Sequence, residues 1–257
     1  AMEHAGRTGG VPFVGVGWYR TEFDVPQFQA GKRATILFDG AMSHANVYIN
    51  GQKVGYWPYG YNSFHFDITK YLKPGEKNTL AVRLENLPES SRWYPGAGLY
   101  RNVHLIITED AYIPVWGTYI TTPSVNEKFA KVNVRTKVVL PEGADPAKYS
   151  VETSVWNPNK QKLTAVRTSL AQMKYNNNQA EQEFVIQTPS LWSPEMPALY
   201  SAETRLYEGD KLKDIYTTPF GIRSIEIIPD KGFFLNGKRT VFKGVCNHHD
   251  LGPLGAA

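Results

Sequence analysis

The chain has 257 residues, above the usual size of one domain, and 42% of them are hydrophobic and 13% aromatic; this excludes a disordered or collagen-like polymer and predicts two β domains plus a remnant. The formal charge of +4 is spread among acidic neighbours, with no run of Lys or Arg and no basic-aromatic interleaving, so nucleic acid is set aside as a partner. No apolar run approaches the ~18 residues that cross a bilayer.

The start of the chain, Ala1 to Arg7, holds no apolar stretch that would act as a secretory signal, so a signal peptide has been removed or never existed. The single cysteine, Cys246, has no intrachain partner for a disulfide. A lone thiol suits cytoplasm or periplasm; the compartment stays open, with the periplasm or the cell exterior favoured.

Asn46-Val47-Tyr48-Ile49 and Gln52-Lys53-Val54 flank Asn50-Gly51, two residues that tolerate positive φ, so the pattern predicts a type I′ hairpin. Lys73-Pro74-Gly75-Glu76 is a second turn, since proline presets φ and glycine accepts the left-handed conformation after it. Leu80, Val82 and Leu84, and later Val103, Leu105 and Ile107, alternate with polar residues and predict strands with one wet face. No helical period survives for ten residues.

A composition shift near Glu109-Asp110 opens a second group of short strands, marked by Val132, Val134 and Thr136, then Val151, Thr153 and Val155, then Phe184 and Ile186, then Tyr200, Ala202, Thr204 and Leu206. Short strands between polar turns describe a sandwich of immunoglobulin type. Residues 173–179 read as a loop within it, and Leu191 to Pro197, with two prolines, as an irregular connection. After Phe220-Gly221-Ile222-Arg223 the pattern predicts a hairpin of Ile225 to Ile228 against Lys238 to Val241, turned around Leu235-Asn236-Gly237-Lys238. Val241 to Val245 then reads as a strand buried on both faces. Such a strand needs neighbours that the remaining residues do not supply, so the expectation is a truncated third part, with boundaries at 1–110, 111–222 and 223–257.

Seven motifs now stand in order: Gly17-Trp18-Tyr19-Arg20 followed by Phe23; Val47-Tyr48-Ile49-Asn50-Gly51; Gly60-Tyr61-Asn62-Ser63-Phe64 with Asp67-Ile68-Thr69; the loop Arg92 to Arg101; Phe220-Gly221-Ile222-Arg223; Gly232-Phe233-Phe234-Leu235-Asn236-Gly237; and Gly244-Val245 to Asp250. Each alone is weak, and seven in sequence are strong. From about Gly9 onward the chain resembles the N-terminal part of a glycoside hydrolase family 2 enzyme, most similar to the β-galactosidase branch. The resemblance implies an all-β fold: a jelly-roll, galactose-binding-like sandwich, an immunoglobulin-like sandwich, and the truncated start of a (β/α)8 barrel. Retaining hydrolysis needs two carboxyl groups ~5 Å apart. In the family both are glutamates on later barrel strands, so this chain carries no catalytic pair, and Asn126-Glu127 reads as a turn.

The resemblance assigns His248, at the end of the first barrel strand, to substrate binding and transition-state support, where neutral imidazole hydrogen-bonds a sugar hydroxyl; the alternative is a histidine capping a loop. Asp250 joins it as a binding residue, while His249 replaces an acidic residue of some relatives. Asn86 aligns with a first-domain position that approaches the sugar, its amide suited to vicinal hydroxyls, against the alternative of a turn asparagine. Trp93 and Trp57 are candidates for stacking on a sugar face, although Trp93 and Tyr94 also suit packing in a stiff loop. Tyr56 and Tyr59 read as exposed, and Tyr61 and Phe64 as core. Adjacent histidines on a strand point to opposite faces, so His248, His249 and Asp250 are not assigned a metal. The resemblance implies magnesium or sodium only for the whole protein, and no cofactor in this chain.

The reading is therefore a non-catalytic portion of a retaining β-glycosidase, acting on β-linked oligosaccharides, that walls the substrate cleft and scaffolds a missing barrel domain. The alternatives are a stand-alone carbohydrate-binding module and an oligomerisation scaffold, since sandwich faces bury one another in homo-oligomers. Phe233, Phe234, Leu235, Val241 and Phe242 are expected to pack on the second sandwich or to associate between molecules.

Overall fold

Alternating apolar and polar residues give each strand one face for a core and one for water, and neighbouring strands satisfy each other's backbone groups. The structure, a computed structural model, describes residues 15–27, 31–87, 97–171 and 179–245. These form two units that divide between Ile107 and Thr108.

The strands of the first unit are β1 (Gly15–Asp24), β2 (Arg33–Phe38), β3 (Ala45–Ile49), β4 (Gln52–Trp57), β5 (Phe64–Asp67), β6 (Lys77–Asn86) and β7 (Val103–Thr108). They make a four-stranded sheet in the order β1-β6-β3-β4 and a three-stranded sheet in the order β5-β2-β7. Ile36, Phe38 and Phe64 of one sheet and Val47, Ile49, Val82 and Leu84 of the other share one buried core, so this is a sandwich. The Phe38 and Phe64 rings stack at 4.9 Å. Each such fully buried side chain contributes about 1.5–3 kcal/mol by leaving water.

The β3–β4 hairpin turns on Asn50 and Gly51, at φ 50° and 79°, the left-handed pair that the sequence predicts. Asn50 does more than turn the chain. Its Nδ2 donates to Tyr71 O and to Asn78 Oδ1, and its Oδ1 accepts from Thr79 N. Asn78 is fully buried, and it bonds Lys73 N, Lys73 O and Glu76 O around the Pro74-Gly75 turn. Two turns distant in sequence are thereby joined by one pair of amides.

The second unit holds β8 (Thr118–Val125), β9 (Phe129–Lys137), β10 (Tyr149–Trp156), β11 (Lys162–Ser169), β12 (Gln179–Gln187), β13 (Tyr200–Glu208) and β14 (Lys211–Phe220). The sheets β12-β9-β8 and β11-β10-β13-β14 bury Val132, Val134, Phe184, Val155 and Ala202 between them, with a second cluster around Val138, Val151, Leu170 and Leu206. Three strands facing four is the immunoglobulin-like arrangement. Among the described residues the chain is all-β apart from two single-turn 3-10 helices. Residues 110–113 are fastened to this unit: Asp214 Oδ2 accepts from Ile113 N at 2.8 Å, Asp214 Oδ1 accepts from Ile215 N, and Tyr112 bridges Val139.

The remaining strands, β15 (Ile225–Ile228), β16 (Gly232–Leu235) and β17 (Lys238–Arg239), form a three-stranded meander. This corrects the expected hairpin. Ile225–Ile228 pairs with Gly232–Leu235, not with the segment after Lys238, because a tight turn at residues 229–231, with Asp230 at φ 61°, intervenes before the Asn236-Gly237 turn. Residues 241–245 form no strand, and Val241, Phe242 and Val245 are exposed; no neighbour among the described residues supplies a ladder. Tyr61 also departs from the expected core position and lies exposed, edge-on to Tyr59 at 5.6 Å. Val103, at the start of its strand, is exposed too, while Leu105 and Ile107 pack on the core.

Candidate functional site

The register places the candidate residues. Asn86 is the last residue of β6, opposite Gly15, and Trp57 is the last of β4, opposite Ala45. With β3 lying between β6 and β4, the two sit toward one end of the four-stranded sheet, two strands apart and offset by two residues, or about 12 Å at ~4.8 Å per strand and ~3.4 Å per residue. Asn86 continues the inward series Leu80, Val82 and Leu84 and is itself buried, so its amide lies on the core face at the sheet's end. Trp57 lies opposite buried Ala45 and stacks on Phe64 at 5.6 Å, 14° from parallel. Its Nε1 donates to Asn62 Oδ1 at 3.0 Å. One ring face is therefore taken by the core, and the Nε1 edge by Asn62.

The loops that close this end are tied to one segment, residues 41–44. Met42 and Gly98 exchange two backbone hydrogen bonds of 3.0 Å, His44 N donates to Pro58 O, and Ser43 both accepts from Glu85 N and donates through Oγ to Glu85 O. Glu85 immediately precedes Asn86, so this segment fixes the strand end that carries the amide. Gly98 has φ 124°, and a Cβ there would lie 2.5 Å from the Tyr19 hydroxyl; only glycine allows the approach. Tyr100 closes the end from the other sheet, its hydroxyl donating to Gly60 O at 2.7 Å. Burial pushes that phenol's pKa up, with Arg101 opposing.

Two polar groups here escaped sequence reasoning. His44, at φ 50°, shares a hydrogen bond of 2.6 Å between its Nδ1 and the Tyr56 hydroxyl, and His104 meets Asp39 at 2.9 Å. The density of Tyr56, Trp57, Tyr59 and Tyr61 was the only signal pointing there; a lone histidine in a loop has no periodicity to mark it. Chemically, this end offers amide and imidazole–phenol hydrogen bonds beside aromatic edges, a set suited to binding hydroxyl-rich molecules. His248, Asp250 and Trp93 lie outside the described residues, as does the loop at 173–178.

The family profile described as "Glycosyl hydrolases family 2, sugar binding domain" matches residues 11–109, and the profile "Glycosyl hydrolases family 2" matches residues 112–223. The chain belongs to glycosyl hydrolase family 2. This family 2 chain is 42% identical over 254 residues to the β-galactosidase BoGH2A of Bacteroides ovatus, covering 98% of the chain and 30% of that protein. Over 256 residues it is 34% identical to a β-glucuronidase of Bacteroides fragilis, covering 95% of the chain and 36% of that protein. Its structure is similar to the crystal structure of a family 2 glycosyl hydrolase from Bacteroides cellulosilyticus, with a TM-score of 0.85, 35% identity, and 95% of this chain and 33% of that one covered. The chain thus spans about a third of the length of the curated relatives it matches.

Within the family 2 chain, Asn126-Glu127 occupies the β8–β9 turn. Asn126 Oδ1 accepts from Lys128 N and Phe129 N, which commits that amide to closing the turn. No three His, Cys, Asp or Glu side chains converge among the described residues.

Proposed function

We propose that this chain forms the substrate-side wall of a retaining β-glycosidase that removes terminal β-linked, galactose-containing sugars. The near full-length alignment with a β-galactosidase carries this reading. Asn86 at the end of the first sandwich would exchange hydrogen bonds with vicinal hydroxyls, Trp57 would border the sugar, and His248 would bind a hydroxyl from the barrel side. The two carboxyl groups of the reaction, ~5 Å apart, belong to a barrel domain in the whole protein, and the second sandwich scaffolds that barrel. By itself the chain turns over no glycoside.

The test compares the full gene product and this chain on nitrophenyl β-galactoside, β-glucuronide and β-mannoside. Turnover of the galactoside by the full protein alone supports the reading. Turnover of the glucuronide or mannoside instead overturns the galactoside assignment, and turnover by the chain itself overturns its non-catalytic role. In the full enzyme, Asn86→Ala raises KM for the galactoside about tenfold while leaving the fold intact, the loss expected of one sugar-binding amide. The carbohydrate-module alternative draws on exposed Tyr56, Tyr59 and Tyr61; galactose binding by this chain, lost in Tyr59→Ala, would favour it.

A further inference from the structure

The second unit carries a cleft of about 430 Å³ that the reading above does not use, lined by Trp116, Tyr119, Arg135, Lys137 and Gln179. Its size falls within the ~300–1,000 Å³ of small-molecule sites. Trp116 and Tyr119 are 56% and 59% exposed, unusual for two large aromatic side chains facing one depression. Trp116 is held outward by its backbone. It sits at φ 56°, with its N–H donated to the Tyr216 hydroxyl at 3.0 Å, in a turn closed by Gly117 N donating to Pro114 O. Gly117 O in turn accepts from Lys137 N, so the turn is pinned to β9. A left-handed tryptophan persists only where its surroundings over-determine it, and such residues cluster at ligand clamps.

The floor of the cleft is the outward face of the β12-β9-β8 sheet. Tyr119 lies opposite Arg135, and Lys137 opposite Gln179, so alternation sets these side chains on one face. Arg135 stacks its guanidinium over the Tyr119 ring at 5.1 Å and meets Glu181 at 3.3 Å. That ion pair is internally neutral, and the guanidinium keeps further N–H donors. Lys137 makes no ion pair among the described residues. The cleft therefore combines an aromatic platform, directed donors and one cation without a counter-charge among the described residues.

We propose that this cleft binds an acidic saccharide, one ring resting on Trp116 with its carboxylate or sulfate directed to Lys137 and Arg135. Flat indole surface suits the C–H face of a pyranose, and the Lys137 ammonium, with no ion pair among the described residues, selects an anionic sugar over a neutral one. No bond is made or broken; the cleft would retain a chain of polysaccharide on the second sandwich. The inference is independent of the glycosidase reading, because it requires neither the first sandwich nor a barrel.

Isothermal titration of this chain with trigalacturonate, a sulfated galactotriose and neutral galactotriose decides it. The expected result is saturable binding of an acidic trisaccharide, at least about tenfold tighter than the neutral one at low salt. Lys137→Gln should erase that preference, and Trp116→Ala should abolish binding. Should Trp116→Ala fail to fold, Tyr119→Ala, an exposed strand position, serves in its place with an unchanged unfolding midpoint as control. Absence of binding, equal affinity for neutral and acidic sugars, or affinity unchanged in Lys137→Gln would each overturn the proposal, whatever the glycosidase assays return.

Discussion

Buried polar side chains separate positions that stabilise this fold from positions that tax it. Asn78 has every polar atom engaged, with two donations, a backbone amide accepted and the Asn50 amide accepted. Asn78→Leu would strip partners from Lys73 N, two carbonyls and Asn50 at once, each unsatisfied group costing about 1–3 kcal/mol; urea unfolding of the first unit should show a loss of at least about 3 kcal/mol. Thr136 is the opposite case. Its Oγ1 is buried with no hydrogen-bond partner, so Thr136→Val, nearly isosteric, should stabilise the second unit by about 1 kcal/mol, read as a raised unfolding midpoint. Neither role was legible beforehand. Thr136 reads in sequence simply as the third inward position after Val132 and Val134, and Asn78 as the polar start of an alternating strand, because pattern reports the direction of a side chain and not its partners. The same holds for Asn86: its inward placement follows from the Leu80-Val82-Leu84 alternation, whereas its burial depends on what closes the end of the sheet.

At the scale of elements, strands with one wet face were the easiest to read, and segments without a periodic face the hardest. The alternation of β6, β9 and β12 is met residue by residue in the buried faces, and β10 departs from it only at Ser154, which is buried as well. The meander of β15, β16 and β17 was misjudged because two turn signals compete within ten residues, and pairing passes through both. The connection at residues 110–113 could not be foreseen, since besides the Tyr112–Val139 bridge its anchors lie about a hundred residues away on β14. One of them is Lys213, whose side chain is 7% exposed and lies 2.8 Å from Asp110 and 3.5 Å from Glu208. The hydrogen bond from Lys213 holds the Asp110 carboxyl below the ordinary carboxylate range, and the same bond raises Lys213. For Asp110 the folded pKa is depressed, so its stabilisation is present above ~4 and lost as pH falls through the folded value. For Lys213 it is raised, so the contribution is present below ~10.4 and lost as pH rises beyond it. Lys213→Met should therefore cost about 1–2 kcal/mol near neutral pH, moderated by the exposure of both carboxylates. The gap from wild type should close below pH ~4 in denaturation curves taken across pH.

For the whole molecule, surface chemistry decides behaviour in solution. Leu235 is buried and Phe233 and Phe234 are half-buried in the second unit, but Ile227, Val241 and Phe242 are 78%, 68% and 74% exposed. Among the described residues Phe242 has only the Phe233 ring, at 4.6 Å, as an aromatic neighbour. Exposed apolar side chains in this number promote association, so sedimentation of the chain should show concentration-dependent self-association, relieved in the double variant Ile227→Ser, Phe242→Ser. A monomer at every concentration would contradict this. The architecture of two sandwiches was legible because short alternating runs and turn residues recur along nearly the whole chain. The end of the first sandwich that carries Asn86 and Trp57 was legible only in outline, since its loops are set by contacts such as Met42 with Gly98 that no local pattern announces.

The pairing of β1 with β6 has a consequence in time. Gly15 meets Asn86, 71 residues later, and among the described residues β1 has no other partner in its sheet. At ~5–20 residues per second, a ribosome exposes the first strand for several seconds before its ladder can form. Throughout that interval Trp18, Tyr19 and Phe23 are unshielded on a nascent chain. Arg20, Glu22 and Asp24, interspersed among them, are the charges that discourage a premature strand-to-strand encounter between neighbouring nascent chains.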